Sequence, residues 1–316
     1  MGKKIATRAA YGEALAKLGA ADPALVVLDA DLSGSTMTKN FAKAYPDRFF
    51  NMGIAEGNMA GVAAGLAASG KKPFYSSFAM FAAGRAWEQV RNSIAYPHLN
   101  VKIAATHAGL SVGEDGATHQ CIEDIAIMRA IPGMTVVCPC DAYETEKAVE
   151  ALLGYEGPAY LRLGRLGVET VTDSVKGYRF RLGKGALLRK GTDVTIVATG
   201  MMVQMALAAA ETLAKKGIEA RVIDMHTIKP LDTAILKKAA QETGAIVTAE
   251  EATVIGGLGS AVAEYVSEAC PVPVVRHGVK DEFGRSGAAQ AVLEAYDLTP
   301  AALVRCAKLA IAKKKK

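Results

Sequence analysis

No run of this sequence approaches the roughly 18 consecutive apolar residues of a membrane-spanning helix. Its first residues also lack the apolar core and cleavage site of a secretory signal. A membrane protein is not expected, and the reading is of a soluble, cytoplasmic one. Cysteine is scarce: Cys121, Cys138, Cys140, Cys270 and Cys306 have neither disulfide-scaffold density nor zinc-ligand spacing. Cys138-Pro139-Cys140 is too tight for the usual two-residue zinc knuckle, so reduced and mostly buried thiols are expected. Aromatic residues are only 6% of the chain, which leaves alanine and glycine to bring elements close together. A charge imbalance is missing too. The formal net charge is +5, but Lys313 to Lys316 supply four of those charges. The body is nearly neutral and carries no nucleic-acid footprint.

What the chain does have is length and alternation. Its 316 residues, 51% hydrophobic and 22% charged, suit two well-packed domains and exclude disorder. Short apolar runs at 24–29, 49–52, 72–77, 101–106, 134–138 and 159–163 read as strands, each separated by a helical segment. A second series, at 194–198, 220–224, 245–249 and 272–276, follows a polar, irregular stretch. Continuous apolar runs of this kind mark strands of a parallel sheet covered on both faces. The expected fold is α/β, with two doubly wound domains over 1–168 and 192–316 and a linker at 169–191.

Candidate chemistry collects at the ends of the first strands. Phe49-Phe-Asn-Met52 reads as a short buried strand broken by Gly53, and Glu56 falls at the turn into the next helix. A carboxylate there complements the helix dipole, or serves a site. The loop Asp29-Ala-Asp31-Leu-Ser-Gly-Ser35 reads equally as a helix cap or as a site loop. Tyr75, Phe78 and Phe81 recur at three-residue intervals and suit either core or a ligand platform. The stretch from His107 to His119 is long, glycine-rich and holds two of the five histidines, which favours function. Arg162 and Arg165 follow near the last strand and are candidates for an anionic group. Gly57, Gly61 and Gly65 share one helix face, suited to packing on the sheet or to a subunit interface. Gly256-Gly-Leu-Gly259 reads as a tight start to a helix.

Together, Gly53-Ile-Ala-Glu56, the three aromatics and Gly113-Glu-Asp-Gly-Ala-Thr-His-Gln120 resemble the C-terminal half of transketolase. So do Thr227-Ile-Lys-Pro-Leu231, Glu250-Glu251 and Gly256-Gly-Leu-Gly259. The resemblance runs through almost the whole chain and implies a pyrimidine-binding domain for thiamine diphosphate followed by the family's C-terminal domain. Glu56 would hydrogen-bond the aminopyrimidine and favour its imino tautomer, which takes the thiazolium proton. Tyr75, Phe78 and Phe81 would pack on the pyrimidine, and Asp31 would stand near the cofactor at an interface. His107, Asp115 and His119 would reach substrate hydroxyls and phosphate, with His119 also counted as catalytic. Arg8, Ser35 and Arg165 would form a phosphate clamp. Two departures are Phe81, which offers no hydroxyl, and Ala108, where the family usually has an acid.

The string Gly-Asp-Gly, which in the family begins the diphosphate and metal motif, does not occur; the nearest is Glu114-Asp115-Gly116. The resemblance therefore implies one subunit of a split enzyme. An N-terminal transketolase subunit would bind the Mg²⁺ and share the thiamine diphosphate, while this chain binds no metal. Its own homodimer would form the core of a heterotetramer acting on sugar phosphates. Alternatives are a 2-oxoacid dehydrogenase beta-like or deoxyxylulose phosphate synthase-like subunit, or a non-catalytic binding subunit.

Overall fold

The computed structural model describes residues 4–314. In chain order its strands are β1 (Ile5–Ala6), β2 (Leu25–Asp29), β3 (Phe49–Asn51), β4 (Lys72–Ser76), β5 (Lys102–Ala105), β6 (Thr135–Val137) and β7 (Ala159–Arg162). They continue as β8 (Gly167–Val168), β9 (Ala186–Arg189), β10 (Val194–Ala198), β11 (Ala220–Asp224), β12 (Thr227–Lys229), β13 (Ile246–Thr253) and β14 (Val274–Val279). The runs at β2 and β10 are buried at every position, as strands with helices on both faces must be.

The first sheet has the order β12-β6-β7-β5-β4-β2-β3 and the second β14-β13-β10-β11-β9, while β1 and β8 form a separate antiparallel ribbon. Pairing is parallel throughout both sheets except at their edges β12 and β9. From β3 on one side of β2 the chain crosses to β4 on the other. The connections leaving the carboxyl ends of β2 and β4 therefore diverge, and a crevice opens at that switch point.

The halves are knitted together. β12 comes from the second half but closes the first sheet, with Thr227 opposite Val137. Ile125, Met128 and Val136 of the first half share one apolar cluster with Ile223, Met225, Leu258 and Val262 of the second. The division at 169–191 is thus one of chain order and not of packing. Within that stretch, residues 186–189 were expected to be irregular but pair as β9 with β11.

Three other expectations change. β3 is an outer edge strand, not a buried one: Phe50 is 39% exposed, because no further strand covers that side. The helical segment expected between the runs at 72–77 and 101–106 has wide π-type turns at Met80–Arg85 and Val90–Ala95 around a short regular piece, Trp87–Gln89. The helical segment expected between the runs at 101–106 and 134–138 is confined to the short helix Asp124–Ala130. Of the glycine face, Gly61 and Gly65 point away from the sheet into open space, whereas Met59, Ala60 and Ala63 face the core.

Candidate active site

Glu56 is the first residue of the helix Glu56–Ala68 and is only 1% exposed. Its Oε2 accepts from Arg85 Nη1 at 2.7 Å and its Oε1 from Ser77 Oγ at 3.2 Å. Each oxygen keeps a lone pair, so the buried carboxylate still has acceptor capacity. Arg85 lies with its guanidinium 4.6 Å over the Phe81 ring. Phe81 and Phe78 are nearly parallel with centroids 6.2 Å apart, and Phe78 stacks on His107 at 3.8 Å. Arg8 then donates to His107 Nε2 at 3.3 Å and to the Ser35 carbonyl at 2.6 Å. Glu56, Arg85, Phe81, Phe78, His107, Arg8 and Ser35 thus form one unbroken row along the carboxyl ends of the strands.

His107 is buried in left-handed backbone (φ 56°), a conformation uncommon for residues other than glycine but one that histidine adopts more readily than most. Since Arg8 donates to Nε2, the ring proton sits on Nδ1 and points at Thr106 Oγ1, 2.9 Å away. Burial lowers the imidazole pKa to about 3, and the charges of Arg8, Arg165 and His119 push the same way. His107 is therefore neutral, a fixed donor–acceptor and not a cation. Burial, reinforced by Arg165, likewise lowers Arg8. His119 turns its ring edge toward Phe81, with centroids 5.4 Å apart, and its Nδ1 meets Thr118 Oγ1 at 2.9 Å.

The remaining expected residues are placed differently. Tyr75 is sealed in the core behind Glu56, its hydroxyl donating to the Ala82 carbonyl at 3.3 Å, and it forms no part of the aromatic wall. Burial, then the Glu56 charge, raises its pKa. Asp31, also at positive φ (62°), exchanges two 3.1 Å hydrogen bonds with Asn51 at the exposed sheet edge. Its loop is shaped by buried Asp29, which accepts from Leu32 N, Thr36 Oγ1 and Thr38 Oγ1 at 2.6–2.9 Å. Asp115 is exposed on its loop. Arg165 is engaged with Glu114 at 2.6 Å and with the Val112 carbonyl. Arg162, read with Arg165 as an anion ligand, is instead buried against Asp124 at 2.8 Å.

Sequence reasoning missed Arg85, Ser77 and Glu114. For Arg85 one signal existed: it lies four residues after Phe81, on the same side of its segment. Among the described residues, Cys140, Glu144 and Asp224 bring ligand-type atoms within 4.8 Å of one another. That group is buried, and burial followed by the adjacent Glu144 carboxylate pushes Asp224 well above the usual carboxylate range.

No described helix is long and apolar enough to cross a membrane. Residues 3–169 match the family model for the transketolase pyrimidine binding domain, and residues 183–303 that for the transketolase C-terminal domain. A Methanocaldococcus jannaschii protein provisionally named a transketolase C-terminal section is 53% identical over 92% of both chains. The 6-deoxy-6-sulfo-D-fructose transketolase subunit of Clostridium sp. is 47% identical, over 95% of this chain and 92% of that one. Mouse transketolase is 38% identical over 98% of this chain but only 49% of its own length. Among solved structures, a split gene transketolase described as an inactive beta4 tetramer superposes with a TM-score of 0.91 and 57% identity, covering 98% of this chain and 99% of that one. Transketolase from Leishmania mexicana matches over all of this chain and 47% of its own, with a TM-score of 0.85 and 28% identity. The chain belongs to the transketolase family, of which it carries the pyrimidine-binding and C-terminal domains.

Proposed function

We propose that this chain is the C-terminal subunit of a split transketolase that moves a two-carbon ketol unit from a ketose phosphate to an aldose phosphate. The observation that carries the reading is Glu56, a buried carboxylate with spare acceptor capacity beside the aromatic pair Phe78 and Phe81. That donor set fits the pyrimidine half of thiamine diphosphate, the cofactor that the family implies. When bound, the cofactor supplies the nucleophilic carbon for ketol transfer. Glu56 holds a proton at the pyrimidine nitrogen, and Phe78 and Phe81 orient the ring. Asp31 stands at the exposed edge, where a second copy of the chain would meet the cofactor.

Neutral His107 presents a donor and an acceptor to sugar hydroxyls, and His119 and Asp115 add polar groups from the same loop. Arg8 and Arg165 gather positive charge for a terminal anion, with Ser35 beside them holding Arg8 through its carbonyl. Arg165 exchanges Glu114 for that anion. The chain has no Gly-Asp-Gly motif for diphosphate and Mg²⁺; an N-terminal transketolase subunit supplies that half. Two copies of this chain form the core of the assembly, in keeping with the relative described as an inactive beta4 tetramer.

A sulfonated ketose is the second reading, favoured by the 47% identity to the sulfofructose enzyme's subunit. Arg8 and Arg165 suit either anion. The test is ketol transfer from xylulose 5-phosphate to ribose 5-phosphate, with thiamine diphosphate and Mg²⁺, by this chain alone and with its N-terminal partner. Activity is expected only in the mixture. Activity in the mixture with 6-deoxy-6-sulfofructose but not with xylulose 5-phosphate selects the second reading. Activity from the single chain would remove the split-enzyme assignment.

A further inference from the structure

The loop from His107 to Gln120 carries three of the groups assigned to the sugar, yet much of its packing is provided by the other half of the chain. Ser111 N–H donates to Glu251 Oε1 at 2.5 Å, and Glu251 is buried on β13. Gly109, at φ 82°, lies so close that a Cβ there would sit 2.5 Å from the Glu251 carboxyl carbon. Glu251 is itself tied back to the first sheet, because its carbonyl accepts from Arg162 at 3.0 Å and Arg162 is held by Asp124.

The far end of the loop is pinned by a second segment. Buried Gln120 donates through Nε2 to the carbonyls of Gly113 at 3.1 Å and Arg285 at 2.9 Å. Gly113 and Gly116, at φ 79° and 77°, press against Gly287–Ala289 and Ser286, where a Cβ would meet atoms at 3.1 and 2.3 Å. The loop is thus gripped at both ends between β13 and residues 284–289. A side chain on a loop so held loses little freedom on binding, and small misplacements of it are costly.

We infer that the C-terminal half sets sugar recognition in the first half, with Glu251 and Gln120 as positioning residues that fix the loop bearing His107, Asp115 and His119. This deepens the functional reading above and rests on it for the identity of the ligand. The coupling has a direction. Removing the Glu251 carboxylate strands a buried Ser111 N–H and frees Gly109, so the loop loosens while Glu56 and its aromatic wall, on other elements, stay in place.

The experiment uses the full chain in two arms, with Glu251→Ala, its conservative companion Glu251→Gln, and Gly116→Ala to loosen the far end without touching β13. In the first arm, amide hydrogen exchange of the chain alone is followed over 109–117. Glu251→Ala and Gly116→Ala are expected to raise exchange there by about tenfold or more, with helix 56–68 unchanged and Glu251→Gln close to wild type, since its amide oxygen still accepts from Ser111. In the second arm, the reconstituted pair is expected to show a KM for the sugar phosphates raised about tenfold, with the thiamine diphosphate requirement unchanged. Unchanged loop exchange in both loosening variants overturns the clamp, whatever the activity. A loosened loop with unaltered KM overturns its role in sugar recognition. A wild-type pair without ketol transfer counts against the functional reading only, and the exchange arm still decides the clamp.

Discussion

Glu56 illustrates how a single side chain separates chemistry from stability. Its carboxylate is buried, but its cationic partner Arg85 is 51% exposed, so solvent screens the pair and its net contribution is about 1 kcal/mol or less. Glu56→Gln keeps the shape and an acceptor for Ser77 but cannot exchange a proton. Turnover of the assembled enzyme is expected to fall by about 10² to 10⁴-fold with a thermal midpoint within a few degrees of wild type. Near-normal turnover would remove Glu56 from the proton path. Glu56 was visible in the sequence because a strand, a glycine and a helix start leave few directions for it. Tyr75 was not: three-residue spacing across a strand–helix junction does not tell which ring faces the cleft, and burial put Tyr75 behind it. Arg162 failed for the same reason, since alternation along β7 turns it to Asp124 while Arg165, beyond the strand, reaches the loop.

At the level of elements, the strands and helices announced themselves where apolar runs were continuous, and β2, β10 and β11 lie within a residue of expectation. What stayed hidden was pairing. Three residues at 227–229 carry no period of their own, and only the tertiary fold sets them on the edge of the other half's sheet. The junction near that edge buries Asp224 beside Glu144. Burial, then the Glu144 charge, raises Asp224 far above its ordinary 3.8, and neither of its oxygens has a hydrogen-bond donor among the described residues. The folded chain therefore keeps a proton that the unfolded chain releases above that value. This term favours folding fully below the unfolded pKa and is lost as pH rises through the folded one. Asp224→Asn places a permanent donor beside Glu144 and removes the titration. Unfolding free energies from urea titrations between pH 5 and 8 should fall more steeply for wild type than for the variant, by up to about 1.4 kcal/mol per pH unit. Parallel curves would mean that the folded chain does not keep the extra proton on Asp224.

For the whole molecule, the decisive feature is an uncovered side. Ile54 is 77% exposed next to the site, Phe50 lies beside it on an edge strand, and Gly61 and Gly65 open a groove in the adjoining helix. From sequence, the glycine face was left between packing on the sheet and an interface; the side chains between the glycines fill the sheet side, so the groove faces outward. Close approach of another helix needs such a bare backbone, and any side chain there blocks it. Gly61→Glu separates assembly from folding, because a Cβ at Gly61 meets nothing within 4 Å and an exposed helical glycine replaced by glutamate gains about 0.5–1 kcal/mol in propensity. The variant should melt at or above the wild-type temperature yet sediment as a smaller species. On the proposed reading, in which a second copy meets the cofactor beside Asp31, it should also lose activity when the N-terminal partner is added. If Gly61→Glu sediments as wild type does, this face is not where the copies meet, and the exposed Ile54 and Phe50 are left for the N-terminal partner alone.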